Sequence, residues 1–215
     1  MMFGDEANPH RSLLDISYPI SEGTVRNWED FSKLWNYTFR TKMGLADDKQ
    51  DKFVLVTEAA LNPKRNREQM AQRLFEEHKF GACMFERQAL LSLMAEGMST
   101  GMVFDSGDGV SHIITVIDGY IPNHVIQRLN LAGRHITNYL VKLMTMRGYA
   151  FNSSADFETV RELKEAKCFV SYDPVKDRKL ADETTLLDQE YKLPDNQIIK
   201  IGRERFQAAE CMFDP

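Results

Sequence analysis

The fold is decided at Gly101-Met-Val-Phe-Asp105-Ser-Gly-Asp-Gly-Val110-Ser-His112, where an acidic turn with two glycines separates two apolar stretches. The flanking residues, 101–104 and 110–117, are of the types that favour β-strands. Glycines let a backbone approach a ligand closely, and consecutive N–H groups in a turn form a concavity that binds anions. Carboxylates repel phosphate, so the two aspartates are suited instead to a hydrated magnesium ion, a water molecule or sugar hydroxyls.

The same stretch also has a purely structural interpretation. Asp108-Gly109 is a strong signal for a β-hairpin turn, and spacing alone leaves that alternative open. An EF-hand is disfavoured, because Gly107 stands at a ligand position and the closing glutamate is missing. His112 follows the turn closely enough to face the same site.

A second candidate site lies on a predicted helix, where Arg161, Lys164 and Glu165 are spaced i, i+3 and i+4. This spacing places the three side chains on one face, where they could grip a purine and its ribose. The alternative is a solvated face in which Arg161 and Glu165 form a helical ion pair worth about 0.3–0.5 kcal/mol. The histidines show no H-x-x-x-H pairing, so metal ligation is not expected.

Local signals in the first half predict alternating helices and strands, which is typical of an α/β layer structure. Asn27 is placed to cap a helix, and Phe53–Thr57 is an apolar run that predicts a buried strand. A second helix is expected from near Asn66 and a third over about 86–96. The second helix should point three residues inward: Met70, Leu74 and Phe75.

The second half carries further helix signals. Helical periodicity runs from about 134 to 147 with Gly148 as a stop, and Ser153 or Ser154 should begin another helix that ends near Tyr172. Residues 176–183 are polar and predict an exposed loop. Residues 184–192 and 197–201, joined through Pro194-Asp195-Asn196, predict a β-hairpin.

Composition excludes several functional classes. The 215 residues are 43% apolar and 27% charged, which is ordinary for a globular protein. The net charge of −5 does not favour nucleic-acid binding. No uncharged apolar run approaches the ~20 residues that cross a bilayer, and the N-terminus lacks the pattern of a signal peptide. Three widely spaced cysteines indicate neither a disulfide framework nor a zinc site, so we expect a soluble, cytosolic protein with reduced thiols.

From Asp105 to His112 the chain resembles the second phosphate loop of the actin superfamily. Other segments resemble actin in the same order along the chain: Tyr18–Trp28, Leu55–Glu68, Leu129–Arg134 and Ile199–Phe206. Leu34–Phe39 and Arg147–Arg161 are more similar to actin-related proteins than to conventional actin. The resemblance implies an α/β, actin-like, two-lobed fold of the ribonuclease H-like ATPase superfamily, with mixed sheets and a mainly helical outer subdomain.

The family's first phosphate loop and its later Gly-Gly adenosine motif have no counterpart in the chain, so we expect an incomplete fold. The resemblance implies a remnant of the small outer subdomain at 1–20 and part of the first large subdomain at 21–95. Part of the second large subdomain, with the phosphate loop, is expected at 96–131, and the second outer subdomain at 132–215. His135 stands where the family usually has Asp.

The resemblance also implies site roles, with ATP and magnesium as cofactors and ATP between the lobes. Asp105 matches the aspartate near the magnesium and the attacking water, while Gln88 and His112 match residues that position the water. Ser106, Gly107 and Gly109 match the phosphate-contacting turn, and Asp108 matches a ribose contact. Four more residues match the surroundings of the nucleoside: Gly133, Arg161, Lys164 and Glu165.

The function implied is that of a cytoplasmic, cytoskeletal ATP-binding protein in which nucleotide acts as a conformational switch and hydrolysis is at most slow. Its expected partners are actin-related protein 3, accessory subunits of the branch-nucleating complex and actin filaments. Two alternatives stay open: another actin-like filament protein, and a phosphotransferase of the same superfamily such as a sugar kinase. A degenerate fragment without nucleotide function is a third.

Overall fold

Helices and strands alternate along the chain in the computed structural model, which describes residues 1–46 and 49–214. The chain divides into two compact units. Unit 1 contains residues 1–8 and 17–130, and unit 2 contains residues 9–16 and 131–215. Pro215, at the end of the predicted second outer subdomain, lies outside the described residues.

Unit 1 begins with a short antiparallel pair, β1 (Ile20–Ser21) and β2 (Thr24–Val25), followed by helix α1 (Trp28–Asn36). The predicted cap is confirmed, because the side chain of Asn27 accepts a hydrogen bond from the Asp30 backbone N–H at 3.1 Å. The helix continues into a π-helical turn over Tyr37–Lys42, which the sequence did not predict. Phe31 of α1 is buried against Val25 and Met70.

The first sheet of unit 1 pairs β3 (Lys49–Glu58) in parallel with β4 (Phe80–Arg87), and α2 (Lys64–Glu76) connects them. Val54 and Val56 pack on one side, in the cluster around Phe39 and Leu74. The prediction of a strand at 53–57 is confirmed, but its complete burial is wrong: only one face is covered, and Phe53 lies on the other. Phe75 is half-exposed, contrary to expectation, because it falls about 100° around α2 from the buried Leu74.

The second sheet of unit 1 is antiparallel, in the order β5 (Gly101–Ser106), β6 (Ser111–Val116) and β7 (Gln127–Leu129). Helix α3 (Gln88–Ala95) packs on it through a core that joins Leu90 and Leu93 to Ile114 and Val116. The short 3₁₀ turn Asn123–Val125 precedes β7. This sheet and its helix support the acidic turn.

Unit 2 is built around helices α4 (Gly133–Met146) and α5 (Ser154–Lys167). Their buried side chains form one core: Leu140, Met144, Val160 and Leu163. Gly148 follows α4 with a φ of 100°, the left-handed conformation that glycine adopts at helix ends, as its position predicts. Ser153 caps α5 through a hydrogen bond from the Asp156 N–H, but α5 ends at Lys167, five residues before the predicted end.

The rest of unit 2 confirms one prediction from the sequence and contradicts another. The predicted hairpin is present as β8 (Gln189–Lys192) and β9 (Ile198–Ile201), although β8 begins five residues later than predicted, and Ile199 and Ile201 enter the core. Residues predicted as an exposed loop instead form α6 (Pro174–Glu183), since Asp173 caps it and Pro174 occupies its first position. Helix α7 (Glu204–Glu210) follows the hairpin.

Candidate functional site

The acidic turn connects β5 to β6 as a β-hairpin. Asp105 pairs with His112 and Ser106 with Ser111 across the two strands, and the hydroxyls of Ser106 and Ser111 are 2.7 Å apart. The Gly107 N–H donates to the Val110 carbonyl at 3.0 Å and closes the turn. That bond does not use the amides at the tip, so the hairpin geometry and an anion-binding function are compatible.

The turn is held from outside by the loop between β1 and β2. A Cβ at Gly109 would lie 3.1 Å from the Glu22 backbone nitrogen and 3.2 Å from the Glu22 Cα, so only glycine fits there without a shift of one backbone. The Arg128 guanidinium donates to the Glu22 carbonyl at 3.0 Å and ties β7 to the same loop. The turn therefore has a fixed position within unit 1.

His112 is enclosed beside the turn, with only 2% of its surface exposed. Burial lowers the pKa of His112, the nearby Arg128 charge lowers it further, and the Asp105 carboxylate opposes both. Its Nε2 atom has no hydrogen-bond partner within the described part of the chain. The ring is thus a neutral imidazole at neutral pH, and its buried Nε2 atom has an unused capacity for one hydrogen bond.

Gln88 lies at the first position of α3 and is exposed. Its side-chain amide donates to the Thr57 hydroxyl at 3.4 Å. The next residue, Ala89, enters the core that also holds Ile114 of β6. Gln88 therefore begins the helix that packs on the strands carrying Asp105 and His112, which agrees with the predicted common site.

The nucleoside-side candidates lie in unit 2, where α5 meets the start of α4. The Lys164 ammonium donates to the Gly133 carbonyl at 2.9 Å. Arg161 binds Glu158 and Glu165, each at 2.8 Å, so the helical ion pair of the alternative interpretation is present. The Glu158 carboxylate is the main cause of the raised pKa of Arg161. Four of the predicted residues are therefore neighbours, while their contact with a nucleoside stays a prediction.

His135 helps to cap the N-terminus of α4. Its Nδ1 accepts a hydrogen bond from the Ala132 N–H at 3.1 Å, three residues before it in the chain. This is the return bond of a capping box, which normally uses Glu or Gln. His135 thus supplies a hydrogen-bond acceptor at the start of α4, beside Gly133.

Three side chains of structural importance were not identified from the sequence. Arg128 affects His112 through its charge, and Arg11 binds Glu162 through two hydrogen bonds, one of them 2.9 Å long. The alternation within β6 and β7 is a signal that could have placed Arg128 opposite His112. No local signal connects Arg11 to a partner 151 positions away.

Two kinds of reactive group are relevant in the described part of the chain: metal-binding clusters and ionised thiols. Across residues 1–46 and 49–214, no cluster of three or more His, Cys, Asp or Glu side chains could hold a metal ion. Burial raises the pKa of all three cysteine thiols, and that of Cys168 to about 11, so these thiols are protonated at neutral pH. Among the described residues, no helix combines the length and hydropathy needed to cross a membrane.

Comparison with known proteins identifies the family of the chain. The family model for actin matches residues 1–215. Relatives described as Actin-related protein 2 match over the whole chain, with 52% identity in Acanthamoeba castellanii, 49% in Saccharomyces cerevisiae and 48% in Schizosaccharomyces pombe. The chain spans 55% of the length of each of these relatives. The predicted actin-like α/β fold and the similarity to actin-related proteins are confirmed, and the chain belongs to the actin family.

Proposed function

We propose that this chain is an ATP-binding, actin-related protein 2-like component of a complex that nucleates branched actin filaments. The observation that carries the proposal is the similarity to relatives described as Actin-related protein 2, which extends over every residue at 48–52% identity. Actin-related protein 3, accessory subunits and actin filaments are the proposed partners, in the cytoplasm and cytoskeleton. The proposed subdomain boundaries follow residues 20, 95 and 131.

For the phosphates and magnesium we assign the β5–β6 hairpin. The Ser106 hydroxyl and the Gly109 N–H are the assigned donors, Gly107 shapes the turn through its bond to the Val110 carbonyl, and Asp108 would contact the ribose. The close packing of Gly109 against the Glu22 backbone supports this assignment, because it fixes the position of the turn. Asp105 would hold magnesium through water, and the ion, when bound, would neutralise phosphate charge.

For the attacking water we assign Gln88 and His112. A neutral imidazole with a free nitrogen is suited to accept a hydrogen bond from water, and His112 is buried with its pKa lowered. The Gln88 amide would orient the same molecule. Any hydrolysis would be slow and would serve the nucleotide switch.

For the nucleoside we assign Gly133, Arg161, Lys164 and Glu165 of unit 2. The bond from Lys164 to the Gly133 carbonyl supports the assignment, because it fixes the ammonium beside the start of α4. Charge-assisted hydrogen bonds of this kind contribute about 1.5–3 kcal/mol. A nucleotide that binds one conformation of the protein more tightly than the other would increase the population of that conformation. The size of the shift would be set by the difference between its affinities for the two conformations.

The proposal is tested by affinity capture with the tagged chain. We expect recovery of actin-related protein 3 with accessory subunits from a cytoplasmic lysate. Recovery of actin filaments without actin-related protein 3 would instead favour a filament protein. Consumption of ATP that depends on added glucose or glycerol would favour a phosphotransferase.

A second measurement addresses the site directly. Asp105→Asn should abolish magnesium-dependent ATP hydrolysis, because it removes the charge assigned to the ion. Asp118→Asn is the matched control, since Asp118 is exposed and accepts a hydrogen bond from Thr100 that asparagine can also accept. Equal hydrolysis in the Asp105 variant and the parent would remove Asp105 from the mechanism.

A further inference from the structure

The ring of His78 lies inside an aromatic cluster of unit 1. It is 3% exposed, and its centroid lies 5.8 Å from the Trp35 ring and 5.0 Å from the Phe39 ring, both in edge-to-face geometry. Phe39 makes the same kind of contact with Phe80, so these rings form one cluster. The Nε2 atom of His78 has no hydrogen-bond partner among the described residues. A buried polar atom without a partner is unusual in a folded protein and requires an explanation.

Charged side chains lie near this ring on several elements of unit 1. The positive ones are Lys49 of β3, Arg40 of the π-helical turn and Arg73 of α2. Burial lowers the pKa of His78 most, these cations lower it further, and the carboxylate of Glu77, which follows α2, opposes them. A proton added to the ring would therefore be buried close to positive charges, which is costly without a paired acceptor.

The cluster holds the π-helical turn Tyr37–Lys42 in place. Phe39 is the buried side chain of this turn, and it packs on His78. The Met43 N–H donates to the Thr38 carbonyl, five residues earlier, at 2.9 Å. Turns with this wider hydrogen-bond spacing are rare and are found mostly as single turns, frequently at functional sites. The position of the turn therefore depends on the rings that surround Phe39.

We propose that His78 is a pH-sensitive switch, which holds the π-helical turn and residues 43–45 in place at neutral pH and releases them in mildly acidic solution. A protonated ring is poorly accommodated in the cluster, so the charged form favours an open conformation in which His78 reaches water. Because Phe39 packs on the ring, the turn is released together with it.

The direction of the switch follows from the linkage between protonation and conformation. The pKa of His78 is lowered in the closed conformation, while a solvated ring has a pKa of about 6.5. The open conformation therefore binds the proton more tightly. The closed conformation is favoured above about pH 6.5, and its advantage is lost as the pH falls toward the lowered pKa of the buried ring.

The release should be local, because strand β6 belongs to a different core. Ile114 and Val116 of β6 pack with Leu90 and Leu93 of α3. The Phe39 cluster instead packs with the core around Leu74. Residues 111–116 are therefore an internal reference that should stay closed when the turn opens.

The test is hydrogen exchange of the full chain at pH 7.5 and pH 5.0, followed by peptide mass spectrometry and corrected for the intrinsic effect of pH on exchange. We expect the protection of residues 37–45 to fall at least about threefold between the two pH values, because the open conformation gains up to about tenfold for each pH unit below 6.5. Protection of residues 111–116 should stay the same.

His78→Phe is the informative variant, because phenylalanine keeps a ring in the cluster and does not titrate. Its residues 37–45 should be equally protected at both pH values. His124→Gln, at an exposed position, is the matched control and should lose protection as the parent does.

NMR titration of the His78 ring in the parent needs no variant, so it tests the proposal even when His78→Phe does not fold. The loss of protection at residues 37–45 should begin near pH 6.5 and level off below the pKa measured for the ring. A ring that titrates at pH 6.5 or above would overturn the proposal.

Three exchange results would also overturn it. The first is unchanged protection of residues 37–45 in the parent at pH 5.0. The second is an equal loss in the parent and in a folded His78→Phe variant, which would assign the effect to another group. The third is an equal loss at residues 37–45 and 111–116, which would show unfolding of unit 1 instead of a local release.

Discussion

Asp105 and His112 are direct partners across the antiparallel strands β5 and β6, with the imidazole buried and the carboxylate partly open. The carboxylate raises the pKa of His112 against the larger effect of burial. Asp105→Asn should therefore lower the pKa of His112 further, as measured by NMR titration of the ring. Asp118→Asn should leave it unchanged. An unaltered titration in the Asp105 variant would show that the two groups are not coupled.

The buried environment of His78 makes the stability of the folded chain depend on pH. The imidazole is buried between the rings of Trp35 and Phe39, and burial lowers its pKa. In the unfolded chain the His78 side chain takes up a proton below about pH 6.5. In the folded chain it takes up the proton only at a lower pH. Stability is thus fully present above that pH and is lost as the pH falls toward the folded pKa.

His78→Phe should reduce this loss, because phenylalanine keeps the ring contacts and does not titrate. Urea unfolding at pH 7 and pH 5 measures the effect. His124→Gln, at an exposed position, serves as the control. An equal loss of stability between the two pH values in the His78 variant and the parent would contradict the prediction.

Gly109→Ala should lower the free energy of unfolding by about 1–3 kcal/mol, which is the usual effect of overpacking. The cause is the new Cβ, which would press on the Glu22 backbone. Gly107→Ala is the control from the same turn, because its Cβ would lie 3.8 Å from the Val110 carbonyl oxygen, an ordinary contact. Thermal unfolding of both variants measures the difference. Equal effects would mean that the turn moves freely against the β1–β2 loop.

Lys164→Ala should weaken ATP binding at least tenfold, if a charge-assisted hydrogen bond of about 1.5–3 kcal/mol is lost. Lys167→Ala, on the same helix, is the control, because Lys167 binds the side chain of Gln189 instead. Calorimetric titration with magnesium and ATP measures both. Parent-like affinity in the Lys164 variant would favour the solvated-face interpretation.

Arg11 and Glu162 should show a coupling free energy of about 1 kcal/mol in a double-mutant cycle, because their two hydrogen bonds are partly shielded from water. The exposed pair Lys179–Glu183 should show almost none. Arg11 lowers the pKa of Glu162, so the contribution is present at neutral pH and is lost as the pH falls through that lowered pKa. A coupling that is equal for both pairs would refute this.

The sequence predicted best where a local signal acts alone. Asn27 and Ser153 cap their helices because a short polar side chain reaches an N–H three residues ahead. The hairpin at Asp105–His112 was readable because a short turn sets the pairing of its strands. Asp173-Pro174 carried an equally clear start signal, but α6 buries no side chain and so has no apolar stripe to reveal it.

Relations across long distances in the chain could not be predicted. Phe53 and Val54 are both apolar, and only the packing of α1 and α2 decides which of them is covered. The bond from Lys164 to Gly133 joins α5 to α4 through two residues that are 31 positions apart in the chain. The spacing of residues on α5 predicts which face of the helix carries Lys164. It does not predict that the Gly133 carbonyl lies opposite that face.

The division of the chain between its units has a consequence for limited proteolysis. Residues 9–16 belong to unit 2, although the residues on either side of them belong to unit 1. A single cut after Asn130 would therefore leave the N-terminal fragment with a segment docked in the other fragment through Arg11 and Glu162. The nicked protein should elute as one species until that segment is released.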